Sequence, residues 1–390
     1  MNNLFLFSTI ELILMSVTGG LFLIQLSYHL ITYARPLRRA KKKPTETSGA
    51  KPAVSVIVYA KNDSENLSEH LPALLNQDYP EYEVIVINDG STDETNEVLK
   101  LFQNEYSHLY YTYVPDEVKY LSRKKLALTI GIKAAKNDIL LFTEANCLPM
   151  DKGWVAAMAQ SYTDATSIVL GFCAYGPHKG FLHKLIAYDN LVRGLQYLSS
   201  ALAGSPYTGD GRNLSYRKDL FFSHKGYYKS LNLHAGDDDL FVNESATKKN
   251  THVVYSPESI TKMAKVECFS IWKEMKVSRA ATQRFYRGWH LTFFRMESLS
   301  YFLFFAAVIA CVAIGILGNW LVAALAGLLF LLRFVCKAVV FHKSSKMLQQ
   351  KSVTSLLFLL ELILPIFNLY VRIYRMFRGK NDYTFRLGGK

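Results

Sequence analysis

The uneven distribution of apolar residues constrains this chain more than any other feature. Residues 4–31 and 298–372 are densely apolar, whereas residues 52–293 between them are not. A bilayer core about 30 Å thick takes about 20 apolar residues in a helix. The two ends therefore read as membrane segments around a separate water-facing domain. Half of the 390 residues are hydrophobic and only 20% are charged, and that excess is concentrated at the two ends.

Charge sets the expected orientation. Lys and Arg number 45 against 32 Asp and Glu, a net charge of +13. Arg35, Arg38, Arg39, Lys41, Lys42 and Lys43 follow the first apolar segment, and Arg372, Arg375, Arg378 and Lys380 follow the last. Basic residues beside apolar segments favour a lipid surface over nucleic acid, for which no motif is present. Residues 4–31 are too long for a cleaved signal peptide and start without a basic region, so they read as an uncleaved anchor. The cluster after them predicts an outside N-terminus and cytoplasmic residues 35–293. The cysteines at 147, 173, 268, 311 and 336 are odd in number and lack a C-x-x-C pair, which fits reduced thiols in the cytosol.

The expected divisions are an anchor at 1–34, a basic linker at 35–51 and a central domain at 52–264. An amphipathic interfacial segment at 265–294, membrane segments at 295–375 and a basic tail at 376–390 follow. Within 298–341 the break at Gly318-Asn319 predicts a helical hairpin, with Arg333 and Lys337 snorkelling to the cytoplasmic surface. The stretch 353–371 contains Glu361 and Pro365. It either spans, or lies re-entrant or interfacial; the positive-inside tendency favours the second. Glu11 and Glu361 are costly in a membrane, which marks either a functional role or, as expected here, pairing with Arg333 or Lys337. In 265–290, Ile271, Trp272, Met275, Phe285 and Trp289 alternate with basic residues. That pattern suits the membrane interface, or a helix packed on the domain with a solvated basic face.

Val54–Val58 and Glu83–Ile87 are short β-branched strands, with a helix over 64–76 between them and Ser64 as its candidate N-cap. Such a βαβ unit predicts an α/β domain whose ligands bind at the carboxyl ends of the strands. Several motifs sit at such ends. Asn88-Asp89-Gly90-Ser91-Thr92-Asp93 follows the second strand, with Asp93 read as a helix start. Lys124-Lys125 opens a helix face through Leu126, Leu128 and Ile132, where lysines can meet a diphosphate or simply be solvated. Asp138–Phe142 is a further strand, and Thr143-Glu144-Ala145-Asn146 leaves its end. Extended backbone there would point residues 144 and 146 the same way. Gly209-Asp210-Gly211-Arg212-Asn213 is a turn whose glycines allow a close ligand approach, or a surface turn with Asn213 as a cap. Gly236-Asp237-Asp238-Asp239-Leu240 packs three carboxylates ahead of an apolar helix face. These acids either shift one another's proton affinity or cap the helix.

The order of these motifs resembles the family 2 glycosyltransferases, in particular the membrane-bound bacterial branch that includes polysaccharide synthases. The resemblance covers about residues 52–293. It implies a GT-A-like, Rossmann-type mixed sheet flanked by helices, with N- and C-terminal transmembrane helices and a location in the inner membrane, multi-pass, with the catalytic domain cytoplasmic. It implies inverting transfer from a nucleotide sugar, expected to be a UDP-sugar, to a lipid-linked or polysaccharide acceptor. Asn62, Asp63, Asp89, Lys124, Lys125 and Glu144 would bind the donor, and Gly211, Arg212 and Asn213 the acceptor side. Asp238 would be the base, with Asp237 beside it, and Glu144 and Asn146 would hold Mg²⁺ or Mn²⁺. The sequence departs from the family pattern twice. Glu144-Ala145-Asn146 stands where Asp-x-Asp is usual, removing one negative charge. The Q-x-x-R-W of processive synthases is missing; Lys276–Ala280 lies near its place, with Gln283, Arg287 and Trp289 beyond. Single-sugar transfer is thus expected over processive synthesis. A non-catalytic scaffold of an export complex is the alternative from another class.

Overall fold

The computed structural model describes residues 7–40, 51–115 and 121–379. Lys41, Lys42 and Lys43 of the basic linker and the tail from Lys380 onward lie outside the described residues. In chain order the elements are α1 (Thr9–Ser27), α2 (Arg35–Ala40), β1 (Val54–Ala60), α3 (Ser64–Leu75), β2 (Tyr82–Asn88), α4 (Thr95–Glu105), β3 (Leu109–Tyr113), α5 (Arg123–Ala134), β4 (Ile139–Glu144) and β5 (Cys147–Pro149). There follow α6 (Trp154–Ala159), β6 (Ile168–Leu170), β7 (Cys173–Tyr175), α7 (Phe181–Leu202), β8 (Leu214–Arg217), α8 (Lys218–Ser223), α9 (Asp239–Ser245), β9 (Thr251–Val253) and β10 (Thr261–Met263). The chain closes with α10 (Phe269–Thr282), α11 (His290–Leu317), α12 (Trp320–Met347) and α13 (Leu357–Phe377).

The main sheet has seven strands in the order β3-β2-β1-β4-β8-β6-β9. β3, β2, β1 and β4 run parallel, and β8 enters antiparallel to both β4 and β6. The sheet is therefore mixed. β1 and β2 are near-continuous apolar runs because helices cover both faces. Register aligns the strand ends: Ala60 pairs with Asn88, and Tyr59 with Glu144. The loops that carry the candidate site residues therefore leave one edge of the sheet together. A small second sheet, β5-β10-β7, braces the chain just beyond β4.

Local details differ from the sequence expectation. Ser64 is the first helical residue of α3, and Asp63 stands at the cap position. Asp93 does not begin α4, which starts at Thr95. Its carboxylate instead accepts from Ser64 N at 3.0 Å and from Thr95 Oγ1 at 2.6 Å, tying together the starts of two helices. Burial pushes the Asp93 carboxyl up, but the Thr95 and Ser64 donors outweigh it and hold it down at about 2. The residues from Glu144 to Asn146 are not one extended segment, because β4 stops at Glu144 and a turn at 145–146 leads into β5.

Four helical segments, Thr9–Tyr33, His290–Leu317, Trp320–Met347 and Thr354–Phe377, are long and apolar enough to cross a membrane. Glu361 pairs with Lys337 at 2.7 Å and with Arg333, the partners expected from sequence. Arg333 and Lys337 do not snorkel to the surface: both are buried, and Arg333 Nη2 also donates to Gln25 of α1 at 2.7 Å. Glu11 does not join them. It forms a capping box with Ser8 at the start of α1, where its carboxylate accepts from Ser8 N at 2.7 Å.

α13 rests on the α/β domain side at both ends. Leu357, Leu360 and Leu364 join the central core, Phe367 stacks on Trp272 of α10 at 4.6 Å, and Arg378 makes a bidentate pair with Glu274 of α10. One face of α13 is buried, while Ile366, Leu369, Tyr370, Ile373, Met376 and Phe377 are exposed on the other.

Candidate active site

A cleft opens at the carboxyl ends of β1 and β4. Tyr59, Lys124, Phe142, Thr143 and Glu144 line it together with Gly211, Tyr216, Tyr227, Asp237 and Asp238. Ser122 caps α5 through its side chain, which places Lys124 in the first turn. Lys124 Nζ lies 2.6 Å from Glu144 Oε1 and 3.1 Å from Asp237 Oδ2. Burial disfavours that ammonium, but the Asp237 and Glu144 charges outweigh it and hold its pKa well above the usual lysine range. The cleft thus contains a fixed positive charge bracketed by two carboxylates.

The acidic loop is held from both sides. Gly236 has φ +100°, a left-handed conformation that suits glycine, and a Cβ there would lie 2.6 Å from Leu240 Cδ1. Asp238 Oδ2 accepts from Gly211 N at 2.8 Å, and its Oδ1 accepts from Asp239 N at 2.7 Å. Two backbone donors therefore fix this carboxylate, which lines the cleft. Asp239 is buried and turned the other way, accepting from Tyr286 Oη at 2.8 Å and from Thr282 Oγ1. Burial first, and then the Asp238 charge, push the Asp239 carboxyl up to about 6.

On this geometry the comparisons with known proteins are decisive. Residues 55–222 match the profile described as Glycosyl transferase family 2. Residues 55–222 form a family 2 glycosyltransferase domain. The chain is similar to the probable glycosyltransferase YdaM of Bacillus subtilis, 24% identical over 339 residues that cover 80% of this chain and 77% of that protein. It is similar also to the poly-beta-1,6-N-acetyl-D-glucosamine synthase of Staphylococcus epidermidis, 24% identical over 63% of this chain and 58% of the synthase. The structure of the mannosyltransferase PcManGT from Pyrobaculum calidifontis, solved with GDP-Man and Mn²⁺, shares the fold: its TM-score is 0.58 at 17% identity, covering 93% of this chain and 99% of that one. The fold is accordingly that of the GT-A transferases.

The glycosyltransferase does not bring all of its sequence-predicted residues into the cleft. Lys124, Glu144, Gly211, Asp237 and Asp238 line it together. Lys125 does not. Its buried ammonium donates to the carbonyls of Ser230, Leu233 and Ala235, and so holds the segment that leads into the acidic loop. Burial lowers that lysine to about 8. Asn213 is fully buried, with its Nδ2 donating to the Phe172 and Ser259 carbonyls and its Oδ1 accepting from Trp154 Nε1. Arg212 is also buried and grips Asp210, which Arg193 reaches at 3.1 Å. Burial alone would raise the Asp210 carboxyl, but Arg212 and Arg193 hold it far below the usual range.

Asp89 lies at the foot of the neighbouring loop, buried, accepting from Tyr59 Oη at 2.7 Å and Arg123 Nε at 2.6 Å. Asn62 and Asp63, in the loop after β1, tie that loop to the one after β2. Asn62 Oδ1 accepts from Thr92 N at 2.8 Å, and Asp63 N donates to Thr95 Oγ1 at 3.1 Å. Both line a shallow second depression with Thr92 and Asp93. Asn146 is half-buried, and its Oδ1 accepts from Cys147 Sγ.

Sequence reasoning did not find Tyr59, Arg123, Tyr227, Thr282 and Tyr286. Tyr59 belongs to an ordinary β-branched strand, and Thr282 and Tyr286 lie more than forty residues from the Asp239 they hold. No local pattern marks any of them.

Proposed function

We propose that this enzyme is a membrane-anchored inverting glycosyltransferase. It moves a sugar from a nucleotide sugar, a UDP-sugar in our reading, to a lipid-linked or polysaccharide acceptor at the cytosolic face. One observation carries the reading: Asp238 is fixed by two backbone N–H groups in the same cleft as Lys124, at the carboxyl ends of the parallel strands. The carboxylate is positioned to take the acceptor hydroxyl proton as that oxygen attacks the sugar carbon from the face opposite the leaving group. Lys124, held protonated, supplies positive charge where the donor diphosphate departs. Asp89, Asn62 and Asp63 shape the loops for the nucleotide. Lys125, Arg212 and Asn213 position the cleft walls rather than touch ligands.

The residues present fit a divalent cation. Glu144 and Asp237 converge on one cationic point, which Lys124 Nζ occupies. Among the described residues no cluster of three or more His, Cys, Asp or Glu converges as a closed metal site. Magnesium-type ions are commonly held by one or two carboxylates with substrate phosphates and water completing the shell. Glu144 and Asp237 would hold such an ion, with Asn146 near the same turn, and the ion would neutralise charge on the leaving diphosphate.

Relatives whose names specify polysaccharide or glycolipid synthesis support an acceptor at a membrane. In our reading α1, α11 and α12 span, whereas α13 lies in the interface with its C-terminus on the domain side. Asp238→Asn in cells lacking the native copy tests the base assignment. Loss of the glycan product is expected, and undiminished product would remove Asp238 from the mechanism.

A further inference from the structure

A second cavity, of about 700 Å³ including its mouth, lies behind the acidic loop. The segment Leu233–Ala235 forms one wall. Ser278, Ala281 and Thr282, on a single face of α10, form another. Arg375, Met376 and Arg378 at the end of α13 close it, and Arg284 stands at its edge.

The charge of this cavity is unbalanced. Arg378 is satisfied by Glu274. Among the described residues no carboxylate lies within 4.0 Å of Arg284 or Arg375. Guanidinium groups match phosphate oxygens in a planar, bidentate manner and are less strongly hydrated than lysine, so the half-buried Arg375 with the exposed Arg284 on the same cavity favours phosphate over small inorganic anions. The mouth is also apolar. Met376 lines it, and the exposed side chains Ile366, Leu369, Ile373 and Phe377 continue from it along the outer face of α13. Phosphate recognition that leads directly onto an exposed apolar strip fits an amphiphile.

We propose that this cavity binds the phosphate headgroup of an anionic membrane lipid, whose hydrocarbon lies along the outer face of α13. The site touches the catalytic loop without belonging to it. Thr282, in its wall, donates to Asp239, and the carbonyls of Leu233 and Ala235 are held by Lys125. Occupancy would thus order the segment that presents Asp237 and Asp238. The binding rests on α13 lying in the interface, and does not depend on which sugar is transferred.

The test uses the full chain in neutral maltoside micelles, titrated with a fluorescent short-chain phosphatidylglycerol. Unlabelled phosphatidylglycerol, phosphatidylcholine and inorganic phosphate serve as competitors. Phosphatidylglycerol should compete at least tenfold better than phosphatidylcholine, and inorganic phosphate far more weakly than either. The double variant Arg284→Gln/Arg375→Gln should lose that preference while its thermal unfolding and its nucleoside diphosphate release without added lipid stay at wild-type values. The control Lys100→Gln/Lys133→Gln, two exposed lysines of the α/β domain, should keep the preference. Equal competition by the two lipids, a preference that survives the double substitution, or inorganic phosphate competing as well as the lipid would each overturn the proposal. Absent donor turnover with an intact lipid preference would count against the transferase reading and leave this one standing.

Discussion

Lys124 Nζ stands 2.6 Å from the Glu144 carboxylate, with Asp237 on its other side, so the cleft holds an internal cation between two acids. In the proposed reaction a donor diphosphate brings negative charge to the same place. Lys124 can then exchange carboxylate oxygens for phosphate oxygens without leaving its position on α5.

Lys124→Met should therefore lower donor turnover by about 10² or more, in the range of a lost oxyanion contact, and weaken nucleoside diphosphate binding as well. Steady-state product release and calorimetric titration with UDP measure the two effects. Lys124→Arg, which keeps the charge, should recover part of the loss.

Asp238→Asn removes the proposed proton acceptor but keeps a carbonyl oxygen able to accept from Gly211 N. Turnover should fall by about 10² to 10⁴, the usual share of general-base catalysis, with UDP affinity little changed. Gly211→Ala should produce a milder version of the same defect, because the new Cβ would lie 3.2 Å from Asp238 Cβ.

Stability should depend on Asp239 in a defined direction. Its folded pKa of about 6 lies above the ordinary aspartate value of 3.8, so between these values the folded state binds more protons than the unfolded one. Stability is accordingly greatest below that window and falls as pH rises through it. Chemical denaturation from pH 4 to pH 7 should show this fall on the wild-type chain, and Asp239→Asn should flatten it.

Glu361→Gln would leave Arg333 and Lys337 buried without their carboxylate. Uncompensated buried charge costs about 3–5 kcal/mol. The variant should show a clearly lower unfolding temperature in detergent than Glu11→Gln, which removes only an end-of-helix capping interaction.

Much of this was legible in the sequence for reasons that are local. β1 and β2 announced themselves because strands buried on both faces must be continuous β-branched runs. Their ends pointed to the candidate cleft, because ligands in α/β sheets bind where parallel strands stop. Glu361 found its partners because few charges share those apolar helices. What escaped depended on burial set by distant contacts. Lys125 looks like its neighbour Lys124 in sequence, yet one residue along a helix turns it about 100°, away from the cleft and onto three carbonyls. Asn213 and Arg212 carry ligand-like chemistry but use it to brace the sheet and the Asp210 turn. Glu11 was misplaced although Ser8 and Glu11 carry the capping-box spacing.

Donor turnover tests the central claim most directly. The full chain in detergent, supplied with a membrane lipid and glycan extract, would be assayed for nucleoside diphosphate release from a panel of nucleotide sugars, with Mn²⁺ or Mg²⁺ and with chelator. The account predicts release from one donor, dependent on the metal and lost in Asp238→Asn. Release that persists undiminished in Asp238→Asn, or no release together with no binding of any donor, would contradict it.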